Sequence, residues 1–194
     1  MLCNAFSSIG YIERVFVKKK SFPLARVYQL LEPGPVTMVT TSYKGKETIM
    51  TMTWQTMLDF EPPLVACVID EHNYSFELLK KSGECVINIP TSELVKTVVA
   101  VGSCSGADVD KFEQFGLHRM AGSVVQAPLI EECYAQLECK VIDSRMVKKY
   151  NLFIVQVVKA WVAPVKKRPL FLHHVGKGLF VIDGKTVKLP FNKK

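Results

Sequence analysis

Residues 51–69, TMTWQTMLDFEPPLVACVI, hold two strand-like runs that meet at a bare Pro62-Pro63. In the first run Thr51, Thr53 and Thr56 alternate, or nearly so, with Met52, Trp54 and Met57. That pattern puts hydroxyl, aromatic and backbone groups at the end of a strand. The second run, 64–70, is unbroken and apolar and has strand length, which predicts a strand buried on both faces. It leads at once into His72-Asn73-Tyr74-Ser75, a polar helix opening. A short helix over 75–82 follows, with Phe76 and Leu79 on one face and Gly83 as its stop.

Working outward, strand signals dominate. Residues 36–43 (VTMVTTSY) are dense in β-branched side chains, and Lys44-Gly45 reads as a turn into a strand over 47–54. Residues 84–89 repeat the buried-strand theme and end at Pro90. Two long strands, 135–145 and 152–162, are joined by a basic turn, and 11–18 is a strand or the lead-in to one. Asp183-Gly184, between 179–182 and 186–189, is the strongest hairpin signal, because Asp-Gly suits a type I′ turn. Helices are few: 91–101, with Leu94, Val98 and Val101 spaced for burial, and 110–115. There is no βαβ alternation and no long repeat. The reading is a mainly β protein, an antiparallel barrel with helical excursions, forming one domain over 1–194.

Composition agrees with one well-packed domain: 194 residues, 48% hydrophobic, mean hydropathy +0.16. The net charge of +7 comes from scattered clusters, Lys18-Lys19-Lys20, Lys148-Lys149, Lys166-Lys167-Arg168 and Lys193-Lys194. They lack aromatic interleaving and a binding motif, so they read as solvated surface rather than a nucleic-acid site. None of the six cysteines forms a CxxC pair, and most sit in apolar runs, as small buried hydrophobes do in a reducing cytoplasm. Cys104, between two serines, stands apart. His173-His174 has no ligand spacing, so no metal site is expected. The N-terminus lacks a basic start with a long apolar core, and no 18-residue apolar run occurs. A cytoplasmic protein with no membrane segment is expected.

The common catalytic motifs GxGxxG, the Walker loop, HExxH and GxSxG are missing. Ser103-Cys104-Ser105-Gly106 lacks the strand-turn-helix setting of a nucleophile loop, and Glu131-Glu132 and Asp108/Asp110 read as solvated or capping carboxylates. A bound cofactor is therefore the expected carrier of any difficult step. Asn73 and Ser75 stand at a helix start, where unpaired N–H groups can receive an anion. The dipole there favours a phosphate by about 0.3–1 kcal/mol before direct hydrogen bonds. Residues 102–112, GSCSGADVDKF, set small flexible residues ahead of Lys111, a point charge for phosphate. Each signal has a plain alternative: outward hydroxyls on a half-buried strand, ordinary helix caps, and a surface lysine. Together they suit a flat, phosphorylated cofactor.

In order and spacing, these segments resemble the flavin reductase-like, FMN-binding split-barrel family, especially its flavoredoxin branch. The resemblance begins at Pro33-Gly34-Pro35-Val36-Thr37 and Val39-Thr40-Thr41, then runs through residues 51–54, Pro62-Pro63-Leu64-Val65 and Asn73-Tyr74-Ser75. It continues with Val86-Ile87-Asn88-Ile89-Pro90, residues 103–106, Asp110-Lys111-Phe112, Ala127-Pro128-Leu129-Ile130 and Leu137-Glu138-Cys139. It covers about 24–160, leaving a tail over 161–194 that carries the hairpin. It implies a Greek-key-like antiparallel split β-barrel and a homodimer, with FMN bound near the subunit interface.

By position, Thr51, Met52, Thr53 and Trp54 would run beside the isoalloxazine and ribityl chain, largely through backbone groups. Asn73 and Ser75 would meet the phosphate, with Ser105 and Lys111 closing over it. The flavin N5 would accept the hydride, and no side chain need act as acid or base. His173 and His174, in the tail, are the candidate proton donors, with structural or surface roles as the alternative. NADH or NADPH is the expected donor. The alternative is a flavoredoxin-type carrier served by an electron-transfer protein, and a more distant one is a basic nucleic-acid-binding barrel. The chain departs from the family pattern near Glu47 and Thr48, where many relatives have Asn, and at Met52, where many have a small residue. Asp70 is a poor direct partner for phosphate.

Overall fold

The computed structural model describes residues 34–187. The expected strand at 11–18 and part of the predicted hairpin, 188–189, lie outside them. Seven antiparallel strands make one sheet: β1 (Thr37–Tyr43), β2 (Lys46–Met52), β3 (Gln55–Phe60), β4 (Pro63–Val68), β5 (Glu84–Ile89), β8 (Ala135–Asp143) and β9 (Leu152–Val162). Two short strands, β6 (Arg119–Met120) and β7 (Leu129–Ile130), pair separately, as do β10 (Leu172–Gly176) and β11 (Leu179–Ile182). The helices are α1 (Tyr74–Ser82), α2 (Val95–Gly102), α3 (Lys111–Phe115) and α4 (Val147–Tyr150).

The strand order β2-β1-β5-β8-β9-β4-β3 forces closure. Laid flat, the two edge strands would stand about 29 Å apart at the usual strand spacing. Yet β2 and β3 are consecutive in the chain, joined only by Thr53-Trp54. Three Cα–Cα steps reach about 11 Å at most, so the sheet must roll until its edges approach. The Val68 N–H donates to the Trp54 carbonyl at 3.0 Å, tying the seam to β4. The fold is thus mainly antiparallel β with short helices, and residues 51–54 sit at its seam.

Local chemistry explains most elements. Lys44 and Gly45, with φ of 51° and 76°, form the tight turn between β1 and β2. At the end of α1, Gly83 has φ 70° and its N–H bonds the Leu79 carbonyl at 2.8 Å, the expected helix stop. Met38 and Val39, adjacent on β1, belong to different core clusters, so the sheet lies between two cores. One contains Phe76 and Leu79 of α1 together with Val65, Cys67 and Phe153. The other contains Val98, Val101, Phe112 and Leu172, drawing α2, α3 and β10 onto the opposite side.

Four expectations are corrected. The run 64–70 is not buried on both faces: Val65, Cys67 and Ile69 are buried, whereas Leu64, Ala66 and Val68 are only half-buried. Its neighbour β3 is an edge strand and leaves that face open. The hairpin turns at Lys177-Gly178, between β10 and β11, and not at Asp183-Gly184. Asp183 is engaged elsewhere, with its carboxylate 2.7 Å from His173 Nε2 and accepting the Phe171 N–H at 3.3 Å. The expected helix 91–101 divides into a 3-10 turn over Ser92–Leu94 and α2, and the basic turn before β9 contains α4.

Candidate functional site at the barrel seam

Three cavities adjoin one another along the end of β2. The smallest, about 250 Å³, lies between the start of α1 and the loop 102–106 and includes Asn73, Ser75, Ser105 and Lys111 in its lining. The second, about 460 Å³, is lined by residues 50–54 of β2 and the seam, together with Asp70, Asn73 and residues 149–151. Met50 and Asn73 border both. The third, about 370 Å³, lies between Thr51, Thr53, α2 and the β10–β11 hairpin, with His174 and Phe180 in its wall.

The eight residues singled out from the sequence thus come together, four around the small cavity and four around the larger one, with Asn73 at the junction. Thr51 donates its hydroxyl to the Val98 carbonyl at 2.7 Å, so it also fastens β2 to α2. The Met52 side chain is buried in the core, which leaves its backbone to face the cavity. Trp54 is about half exposed, at 54%. The two histidines separate: His174 lines the third cavity against Phe180, with ring centres 5.1 Å apart, while His173 bonds Asp183 within the hairpin.

The small cavity has a helix start on one side and a buried lysine among its lining residues. Asn73 caps α1 in backbone conformation only, since its side chain makes no capping hydrogen bond. The helix start therefore keeps donors for a ligand. Opposite stands Lys111, buried to 5% exposure, with its Nζ donating to the Val101 carbonyl at 2.7 Å. Burial lowers the lysine's pKa, an effect that the nearby Cys104 opposes. An anion beside Nζ would relieve that cost. Ser75 is buried and Ser105 is exposed at the rim. Asp70 borders only the larger cavity, and its carboxylate accepts the His72 N–H at 2.8 Å. That hydrogen bond, with a second from the His72 ring, lowers the pKa of Asp70, and the ring's bond to the carboxylate raises that of His72.

Sequence reading did not pick out Thr48 and Met50 as lining residues, although carrying the period-2 pattern back from Met52 would have found both. It also treated Lys149 as scattered surface charge, whereas Lys149, Tyr150 and Asn151 border the larger cavity. Asn151, at φ 56°, ends α4 in the left-handed conformation and turns the chain past the cavity. Among the described residues no group of His, Cys, Asp and Glu could hold a metal ion, and no helix is long and apolar enough to cross a membrane.

Residues 30–178 match the model of the flavin reductase like domain. The chain belongs to the flavin reductase-like family. It is 35% identical to the uncharacterized protein YddH of Escherichia coli (strain K12) over 173 residues, 82% of this chain and 92% of that one. Its fold matches the FMN-binding domain of a flavin reductases-like enzyme from Shewanella baltica with a TM-score of 0.74 and 30% identity, covering 88% of this chain and 97% of that one. Flavoredoxin of Desulfovibrio vulgaris (Miyazaki F) gives a TM-score of 0.78 at 23% identity, over 90% and 98% of the two chains. The barrel is the family's split barrel, with the two cavities at its seam.

Proposed function

We propose that this protein is a homodimeric FMN-binding oxidoreductase that accepts electrons from NADH or NADPH. The observation that carries the reading is the paired geometry of the cavities. A small anion cavity, with a helix start on one side and a buried lysine on the other, opens through Met50 and Asn73 into a larger one along the seam. FMN has that division, a phosphate at one end of a ribityl chain and a flat ring system at the other. FMN, when bound, supplies hydride and single-electron chemistry.

Each residue then has a task. Lys111 places a charged donor on the phosphate, while Ser75, Ser105 and the first N–H groups of α1 supply further hydrogen bonds. The backbone of residues 51–54 runs along the flavin edge, where N–H groups can stabilise the negative charge that reduction creates. The Trp54 and Tyr150 side chains flank the larger cavity.

Dimerisation is supported by the surface beside the seam. Along the edge strand β3, Met57, Leu58 and Phe60 are 52%, 50% and 87% exposed. Large apolar side chains exposed on an edge strand mark an interaction face, and a second copy of the chain would cover it. The described cysteines Cys67, Cys85, Cys104, Cys133 and Cys139 are free thiols, which suits a cytoplasmic setting.

One observation favours a second reading, an electron carrier served by a protein donor. Lys166, Lys167 and Arg168 are all exposed on the segment that leads into the hairpin, a basic surface for an acidic partner. Anaerobic stopped-flow reduction separates the two. Rapid bleaching of the FMN-loaded protein by NADH or NADPH is the result expected of a reductase. Bleaching only by a reduced electron-transfer protein would assign the carrier role.

A further inference from the structure

Arg119, on β6, ties together the two walls of the small cavity without lining it. Its Nε donates to the Glu47 carboxylate, beside Thr48 on β2. Its Nη2 bonds both carboxylate oxygens of Asp110, at 2.6 and 2.5 Å, beside Lys111. Nη1 reaches Glu113 at 3.0 Å, and the guanidinium lies 4.3 Å from the centre of the buried Phe112 ring. Asp110 in turn accepts the Phe112 and Glu113 N–H groups at 2.9 and 3.3 Å, which fixes the turn that carries Lys111. One planar fork therefore spans from the strand bearing Thr48 to the helix bearing Lys111, and only a guanidinium has the donors and shape to do so.

We infer that Arg119 is a positioning residue for phosphate recognition, setting the distance between Lys111 and the β2 wall and thereby the selectivity for phosphorylated over unphosphorylated flavin. The inference rests on the FMN reading above. Removing Arg119 would let α3 and Lys111 drift from the strand, which weakens contacts at the phosphate and leaves those to the ring unchanged.

The test compares FMN and riboflavin dissociation constants, by flavin fluorescence, for the wild type, Arg119→Ala, Arg119→Lys and Glu47→Gln. The expected result is a tenfold or greater loss of FMN affinity in Arg119→Ala, an intermediate loss in Arg119→Lys, and riboflavin affinity within twofold of wild type throughout. Glu47→Gln separates positioning from long-range charge. It removes a negative charge, so a field effect alone would tighten FMN, whereas replacing the charge-assisted bond from Arg119 by a weaker one to a neutral amide oxygen loosens the tether and weakens it. Should Arg119→Ala fail to fold, the Lys and Gln variants decide the question. Unchanged FMN affinity, equal loss of both flavins, or tighter FMN binding by Glu47→Gln would overturn the positioning role and leave the FMN reading standing. A wild type that binds neither flavin would overturn both.

Discussion

A Cβ placed on Gly106 would stand 1.7 Å from the Thr48 hydroxyl oxygen and 2.6 Å from the Thr48 Cβ. The second contact is with a branch atom next to the backbone, so no rotation of the threonine can relieve it. The loop 103–106 lies against β2 because this residue has no side chain, and that contact closes the small cavity. Gly106→Ala is therefore expected to lift the loop and weaken FMN binding at least tenfold, about 1.4 kcal/mol. Isothermal titration with FMN and then riboflavin checks it, and riboflavin affinity is expected to change little.

Lys111 supplies the buried positive charge of the same cavity. Lys111→Met keeps the stem and removes the ammonium, so FMN affinity is expected to fall 10- to 100-fold, in line with about 1.5–3 kcal/mol for a hydrogen bond to a charged group. Riboflavin binding, measured by fluorescence titration, is expected to stay within twofold of wild type.

Glu138 is fully buried and accepts from the Trp161 indole at 2.8 Å, the Ser123 hydroxyl at 2.9 Å, and the Val124 and Val125 N–H groups at 2.6 and 3.0 Å. Burial pushes its pKa up, but these hydrogen bonds outweigh it and hold the carboxyl at about 2, against 4.5 for an ordinary glutamate. A depressed carboxyl pKa stabilises the fold above the unfolded value, and that contribution is lost as pH falls through the folded one. Glu138→Gln is expected to cost about 1–3 kcal/mol at pH 7. The gap from wild type should narrow as pH falls from 4.5 towards 2. Urea unfolding of both proteins at pH 7 and pH 3 reads the difference.

Phe60, at the exposed end of β3, is 87% exposed in the single chain. If a second copy covers this face, Phe60→Asp buries a charge in the interface and shifts the protein to monomers. Light scattering at matched concentration is expected to give half the wild-type mass, with the far-ultraviolet circular dichroism spectrum unchanged.

Much of the strand content was legible in residues 51–69, because β-branched and apolar runs of strand length there report extended backbone, although not which faces are buried. The second run became β4, whereas the first divides at Thr53-Trp54 between the end of β2 and β3, and the seam residues and helix start fell on adjoining cavities. Asp183-Gly184 misled because its aspartate is committed to His173 and Phe171, a tertiary contact that dipeptide chemistry does not encode. β10 was missed because His173-His174 breaks its alternation, although Leu172 is wholly buried. The lining role of Lys149 was hidden because charge alone does not distinguish a solvated lysine from one beside a cavity. Arg119 was silent for a similar reason, since its role rests on joining Glu47, 72 residues away, to Asp110 and Glu113 at the start of α3.

The most direct test is the absorbance spectrum of the purified protein between 300 and 550 nm, taken before and after incubation with a slight excess of FMN and removal of unbound flavin. Retained flavin bands near ~375 and ~450 nm, present with FMN and largely absent when riboflavin replaces it, are the expected result for a cofactor held through its phosphate. A protein that stays colourless with FMN, or retains riboflavin equally well, would contradict the account.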